Sequence, residues 1–209
     1  MRLILASTSP RRREILALLG LPFEVIAPQF DEKLSTELCI EDEVVAFAVG
    51  KARSVARDAG WAIVIGGDTM IDLDGEKIGK PTSRRDAGRI LRRLSGRTHW
   101  IYTSLAILED GGEPGLTSVE KVAVDMRRYS DDEVEQYLAH NESFDKAGAY
   151  SIQGEGSRLI QSIRGDYLAA VGMPLKPIGD YLKIRGMTPP VDLDRLYARK
   201  PCFNWQLFA

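Results

Sequence analysis

Ser7-Thr8-Ser9-Pro10-Arg11-Arg12-Arg13 gathers hydroxyls and guanidinium groups between the apolar run Leu3-Ile4-Leu5-Ala6 and the segment Glu14 to Leu19. That order reads as strand, turn and helix. Pro10 suits the first helical position, where its missing N–H costs nothing, and Ser9 suits the N-cap. Backbone N–H groups at a helix start, together with arginines, make an anion site suited to phosphate. A capped helix with solvated arginines is the plainer alternative, and the segment by itself leaves both open.

Asp68 follows a continuous apolar run, Ala62-Ile63-Val64-Ile65, and the pair Gly66-Gly67. The expectation is a turn at the carboxyl end of a buried strand, where open α/β sheets bind ligands. A carboxylate there holds a metal ion or activates water; the alternative is a turn aspartate bonded to its own backbone. Lys80 lies past the Asp74-Gly75 turn signal, which could fold it back toward Asp68. Lys51 sits between Gly50 and Ala52 on a helical segment. Both lysines fit a phosphate or carboxylate partner, though a solvated lysine is the ordinary case. Glu32 is an acidic loop candidate for metal support. Asp145-Lys146 precedes Ala147-Gly148 and reads as an ion pair that could shape a site. Gln153 offers an amide donor and acceptor, suited to a nucleobase edge. His99 reads as structural, since no serine or cysteine nucleophile motif accompanies it. Arginines, lysines, carboxylates and one amide without a covalent nucleophile suit metal-assisted attack of water on a phosphate ester or anhydride, with Asp68 taking the proton.

The elements that must position these residues are legible in outline. Strands are expected at 2–6, 23–26, 62–65 and 70–73, and a long hairpin from 100–108 to 116–128 around the tip Glu109 to Gly115. Helices are expected at 10–19, 41–59, from Ser83 to Leu94, from the capping box Ser130-Asp131-Asp132-Glu133 to about His140, and from Pro174 to about Arg185. The stretch Ala27 to Ile40 reads as a loop. The result is an α/β protein with a mixed, elongated sheet and flanking helices, bent into two lobes around a cleft. Residues 1–186 read as the domain and 187–209 as a C-terminal extension, without clear period, that packs irregularly or is mobile.

The chain has 209 residues, a net charge of −2 and two cysteines, Cys39 and Cys202. Balanced charge argues against capture of a nucleic-acid polymer, so the basic clusters point to a small anion. No cysteine spacing suggests zinc or a disulfide framework, and a reduced cytoplasm is the expected setting. The N-terminal apolar run is too short for a signal segment, and no stretch approaches the ~20 residues that span a bilayer.

Several motifs occur together and in order: Ser7-Thr8-Ser9-Pro10-Arg11-Arg12, Gly67-Asp68-Thr69, Lys80-Pro81, Ser95-Gly96 with Thr98-His99, Asp145 to Tyr150 with Ile152-Gln153-Gly154, and Gly172-Met173-Pro174-Leu175. By these the chain resembles the Maf (septum formation inhibitor) proteins, nucleoside triphosphate pyrophosphatases, over residues 1 to about 185. The resemblance implies a fold like that of inosine triphosphate pyrophosphatases. It also implies a divalent metal cofactor, Mg²⁺ or Mn²⁺, and release of pyrophosphate from a nucleoside triphosphate. Asp68 corresponds to the family's proton acceptor. Ser7, Arg11, Arg12, Glu32, Lys51 and Lys80 fall on its polar site positions, and Glu32 and Asp68 are the carboxylates expected to hold the metal. Arg11, Thr69 and Gln153 resemble the branch that acts on dTTP and UTP, clearing unwanted or modified pyrimidine nucleotides, rather than the 7-methyl-GTP branch. A homodimer is implied as well. The competing readings are a nucleotide-binding regulator of cell division with little turnover, and a 7-methyl-GTP pyrophosphatase.

Overall fold

The computed structural model describes residues 1–35, 37–109, 112–144 and 146–208. Asp145, the hairpin-tip residues Asp110 and Gly111, and Ala209 of the extension lie outside the described residues.

The apolar run after Met1 forms β1 (Arg2–Ala6), buried from Leu3 onward. It lies between two parallel neighbours, β2 (Glu24–Ile26) and β3 (Ala62–Leu73). A strand covered on both faces reads as a continuous apolar run, which is why β1 and the start of β3 lack alternation. Asp74 and Gly75 take positive φ and return β3 into the short β4 (Glu76–Ile78). The central hairpin is β5 (Thr98–Glu109) with β6 (Pro114–Met126), and β7 (Ile160–Arg164) adds antiparallel to β6. Among the described residues these seven strands form one mixed sheet of order β2-β1-β3-β5-β6-β7, with β4 on β3.

Helix α1 (Pro10–Ala17) starts as expected, with Ser9 as N-cap and Pro10 in the first turn. Helix α2 (Ile40–Ala59) covers one face of the sheet with small residues, Ala48, Ala52, Ala56 and Ala59, packed on Ile4, Ala6, Val64 and Ala106. A larger apolar core fills the other face. Helices α3 (Arg84–Leu94), α4 (Asp131–Ala139), α5 (Tyr167–Val171) and α6 (Leu175–Ile184) contribute to it. The expected capping box at Ser130 and Glu133 is present on α4.

β3 does not break where the sequence places a turn. Gly66 to Thr69 is no turn: β3 runs unbroken through it, because β5 continues its ladder past Gly67↔Leu105, Asp68↔Ser104 and Thr69↔Thr103. What ends near Asp68 is the other neighbour. β1 pairs only as far as Gly66, and pairing with β4 begins only at Ile71. Between them one edge of β3 carries no strand among the described residues, and the chain leaving β1 turns away at Ser7 into α1. That gap is the mouth of a cleft.

The C-terminal extension also differs from expectation. It contains α7 (Leu193–Arg199), capped by Asp192, and a 3₁₀ turn over Trp205–Phe208. Leu193, Leu196 and Trp205 are buried against the body. A helix of seven residues is too short to declare itself by period, as are the five-residue elements α5 and β7.

Candidate active site

The cleft has a volume of about 660 Å³ and is bounded by the β1–α1 turn, the open edge of β3, the loop after β4 and the loop following α4. Volumes of this order accept a small organic ligand. The nine side chains that the sequence assigns to substrate, metal or specificity all line it: Ser7, Arg11, Arg12, Glu32, Lys51, Asp68, Thr69, Lys80 and Gln153.

The floor is organised by charge. Lys51 Nζ lies 2.5 Å from Asp68 Oδ1 and 2.5 Å from Glu32 Oε1. Lys51 and Asp68 are both buried, on α2 and β3 respectively, while the Glu32 side chain is 46% exposed. Burying a charge is tolerable only when it is paired, and here one ammonium serves two carboxylates. Burial alone would raise the Glu32 pKa. The hydrogen bond and charge of Lys51, with Lys80 and Arg12 beyond it, outweigh that and hold it below the usual carboxylate value.

The loop carrying Glu32 is fastened at several points. Lys77 Nζ donates to Ser35 O and Leu38 O at 3.1 and 3.0 Å and pairs with buried Glu43 at 2.7 Å. Phe30 packs edge-on against Phe47 at 5.5 Å and over Gly50, where a Cβ would fall 2.2 Å from the ring. Gly50 therefore serves the loop, and Lys51 follows it into the cleft.

A second network fixes Arg12. Its Nε donates to Gly172 O at 3.0 Å and its Nη2 to Thr69 Oγ1 at 3.1 Å. Thr69 Oγ1 stands 3.2 Å from Thr103 Oγ1, whose proton goes to Ala169 O at 2.8 Å. Each hydroxyl has one proton, so Thr69 must donate to Thr103 and accept from Arg12. Burial lowers the Arg12 pKa, with Asp68 pulling the other way; the group stays cationic. Ser7 is buried, and its Oγ accepts from Ser9 N at 3.1 Å, while Ser9 Oγ accepts from Arg12 N at 3.4 Å. Two N–H groups of the turn thus already have hydroxyl partners.

Arg11 and Gln153 are half-buried and Lys80 is exposed at the rim. Lys80 does not contact Asp68; its charge is felt at Glu32 instead. Gln153 lies on the loop between α4 and β7, not at a strand end. Lys146, the described half of the Asp145-Lys146 pair, lines the cleft and donates to Glu142 O at 2.8 Å. Gly66 and Gly67 admit protein rather than a ligand. A Cβ on Gly66 would lie 2.4 Å from Ala48 O, and one on Gly67 would lie 3.4 Å from Arg12 Nε.

Thr103, Glu43 and Lys77 were not legible as site-building residues, since each looks like an ordinary strand or helix polar residue. His99 is structural as expected: it is fully buried, and its Nε2 lies 2.7 Å from Tyr150 Oη.

The donor set bears on the metal. No cluster of three or more histidines, cysteines and carboxylates gathers among the described residues. Glu32 and Asp68 converge on one cation position, that of Lys51 Nζ. Two carboxylates fit Mg²⁺, which commonly takes one or two from protein and completes its shell with phosphate oxygens and water.

A family model described as Maf-like protein matches residues 2–184. The chain is 45% identical over 185 residues to a dTTP/UTP pyrophosphatase of Dictyoglomus thermophilum, covering 88% of this chain and 96% of that protein. It is 44% identical over 186 residues to a dTTP/UTP pyrophosphatase of Moorella thermoacetica, covering 89% and 96%. Among solved structures, the crystal structure of a nucleoside-triphosphatase/dITP/XTP pyrophosphatase from Mycobacterium abscessus matches at 16% identity. Its TM-score is 0.42, over 89% of this chain and 94% of that one.

Proposed function

This chain belongs to the Maf-like protein family, and from that premise we propose that it hydrolyses dTTP and UTP to the monophosphate and pyrophosphate. The observation that carries the reading is the cleft floor, where buried Asp68 and Lys51 meet beside Arg12. Water adds to phosphorus, the α–β anhydride bond breaks, and pyrophosphate leaves. Asp68 accepts the proton of the attacking water. Lys51 orients that carboxylate and balances its charge. Arg11, Arg12 and Lys80 bind phosphate oxygens and offset the charge that builds on them. The Gln153 amide pairs with the O4/N3–H edge of thymine or uracil.

A divalent cation, Mg²⁺ or Mn²⁺, held by Glu32 and Asp68 together with the substrate's phosphates, would supply further stabilisation of the developing charge. The family resemblance also implies a homodimer, which sedimentation equilibrium measures, and the two widely separated cysteines fit a reduced cytoplasm. Among the described residues no helix is long and apolar enough to cross a membrane.

The test is pyrophosphate release from dTTP, UTP, CTP, GTP and 7-methyl-GTP, with Mg²⁺, with Mn²⁺ and with chelator, for the wild type and Asp68→Asn. The expected result is release from dTTP and UTP in either metal, lost with chelator and lost in the variant, which still binds nucleotide. Preference for 7-methyl-GTP would overturn the specificity. Binding without release from any nucleotide would favour a regulator.

A further inference from the structure

The extension beyond residue 184, where the family match ends, reaches the cleft lining from behind. Asn204 Nδ2 donates to Ile152 O at 2.7 Å, and Asn204 Oδ1 accepts the hydroxyl proton of Tyr167. Ile152 directly precedes Gln153. The loop is tied at two further points, by Ser151 N donating to Tyr137 Oη at 3.0 Å and by Glu155 N donating to Glu142 Oε1 at 3.4 Å. The Asn204 bond falls between them, on the peptide that leads into Gln153.

Asn204 is itself held firmly. The neighbouring Trp205 stacks on Tyr167 at 5.2 Å and meets Tyr197 edge-on at 5.1 Å. Tyr197 Oη donates to Asp166 Oδ2 at 2.9 Å, and Asp166 caps α5 through Leu168 N and Ala169 N. That helix supplies Ala169 O to Thr103, and Gly172 O just beyond it accepts from Arg12. One short segment therefore grips both the Gln153 loop and the support of Arg12.

We propose that Asn204 is a positioning residue for substrate selection: by fixing the Ile152 carbonyl it sets how Gln153 is presented to the nucleobase. The proposal rests on the reading of the cleft as a pyrimidine nucleotide site. A half-buried amide beside aromatic rings is costly unless its polar ends are bonded, and Asn204 bonds both. Its donor end is spent on the one loop whose geometry decides base recognition.

The test compares wild type, Asn204→Asp, Gln153→Ala and the double variant, using pyrophosphate release from dTTP and CTP and the thermal midpoint of each protein. Asn204→Asp keeps the acceptor for Tyr167 and removes the donor to Ile152. The expected result is a fall of about tenfold in kcat/KM for dTTP, carried by KM, with a smaller change for CTP. Adding Asn204→Asp to Gln153→Ala should then cost nothing more, as for two residues acting through one contact. An unchanged dTTP-to-CTP ratio, equal losses in kcat for both nucleotides with a lowered midpoint, or additive effects in the double variant would each overturn it. If Asn204→Asp does not fold, Tyr167→Phe, which releases Asn204 Oδ1 and leaves the Trp205 stack, carries the same expectation. A wild type that does not distinguish dTTP from CTP would remove the reading of Gln153 as a selector of the thymine or uracil edge, and this proposal with it; failure confined to the variants would remove this proposal alone.

Discussion

Lys51 Nζ and Asp68 Oδ1 lie 2.5 Å apart on the floor of the cleft, both side chains almost wholly removed from water. The helix that supplies Lys51 crosses the strand that supplies Asp68, and Gly66 lets the two backbones approach. The carboxylate is thus kept paired in a place where an isolated charge would be strongly disfavoured.

Removing the cation should cost stability as well as turnover. Lys51→Met leaves Asp68 and Glu32 facing each other without the ammonium between them, and the loss is expected to be about 3 kcal/mol, moderated by Arg12, Lys80 and water in the cleft. The double variant Lys51→Met/Asp68→Asn should recover part of it. Urea unfolding of the four proteins measures the coupling; strictly additive losses would mean that the pair does not interact energetically.

Thr103→Val removes the acceptor for Thr69 and leaves Ala169 O without its donor. Such unsatisfied buried groups cost about 1–3 kcal/mol. Because Arg12 is anchored through Thr69, the KM for dTTP should rise while kcat changes less. Steady-state kinetics decide this, and an unchanged KM would show that Arg12 keeps its place without the hydroxyl chain.

His99 makes stability depend on acid. Burial pushes its pKa down from 6.5 to about 4, only partly opposed by Asp125. Above the unfolded value both states are neutral and this group has no effect. As pH falls from 6.5 toward 4, the unfolded chain takes up a proton that the folded one refuses, so stability declines, by about 3 kcal/mol at full extent. His99→Gln should flatten that window in urea midpoints measured against pH. An unchanged slope would assign the acid loss to other groups.

Gly66→Ala tests the close crossing. Its Cβ would sit 2.4 Å from the backbone carbonyl of Ala48, and neither the helix nor the strand can yield easily. We expect destabilisation of about 3 kcal/mol, seen as a lower thermal midpoint, with substrate preference retained in whatever fraction stays folded. A neutral outcome would mean that α2 can lift from the sheet at little cost.

What the sequence determined by itself was local. The Ser9 cap with Pro10, the Asp74-Gly75 turn and the Ser130 to Glu133 capping box depend on neighbours within a few residues, so residue type and spacing were enough to find them. The residue types in the cleft were legible for the same reason: acids, bases and an amide placed beside turns. Tertiary structure decided which of them meet. Lys51 reaches Asp68 because a helix face and a strand cross. Arg12 is held by a carbonyl 160 residues away, and Ile152 by an amide 52 residues away. It also decided that Gly66 to Thr69 is strand, since the long ladder with β5 outweighs the local preference of two glycines for a turn. Contacts between distant segments are fixed by packing of the whole sheet and its helices, and no spacing along the chain encodes them.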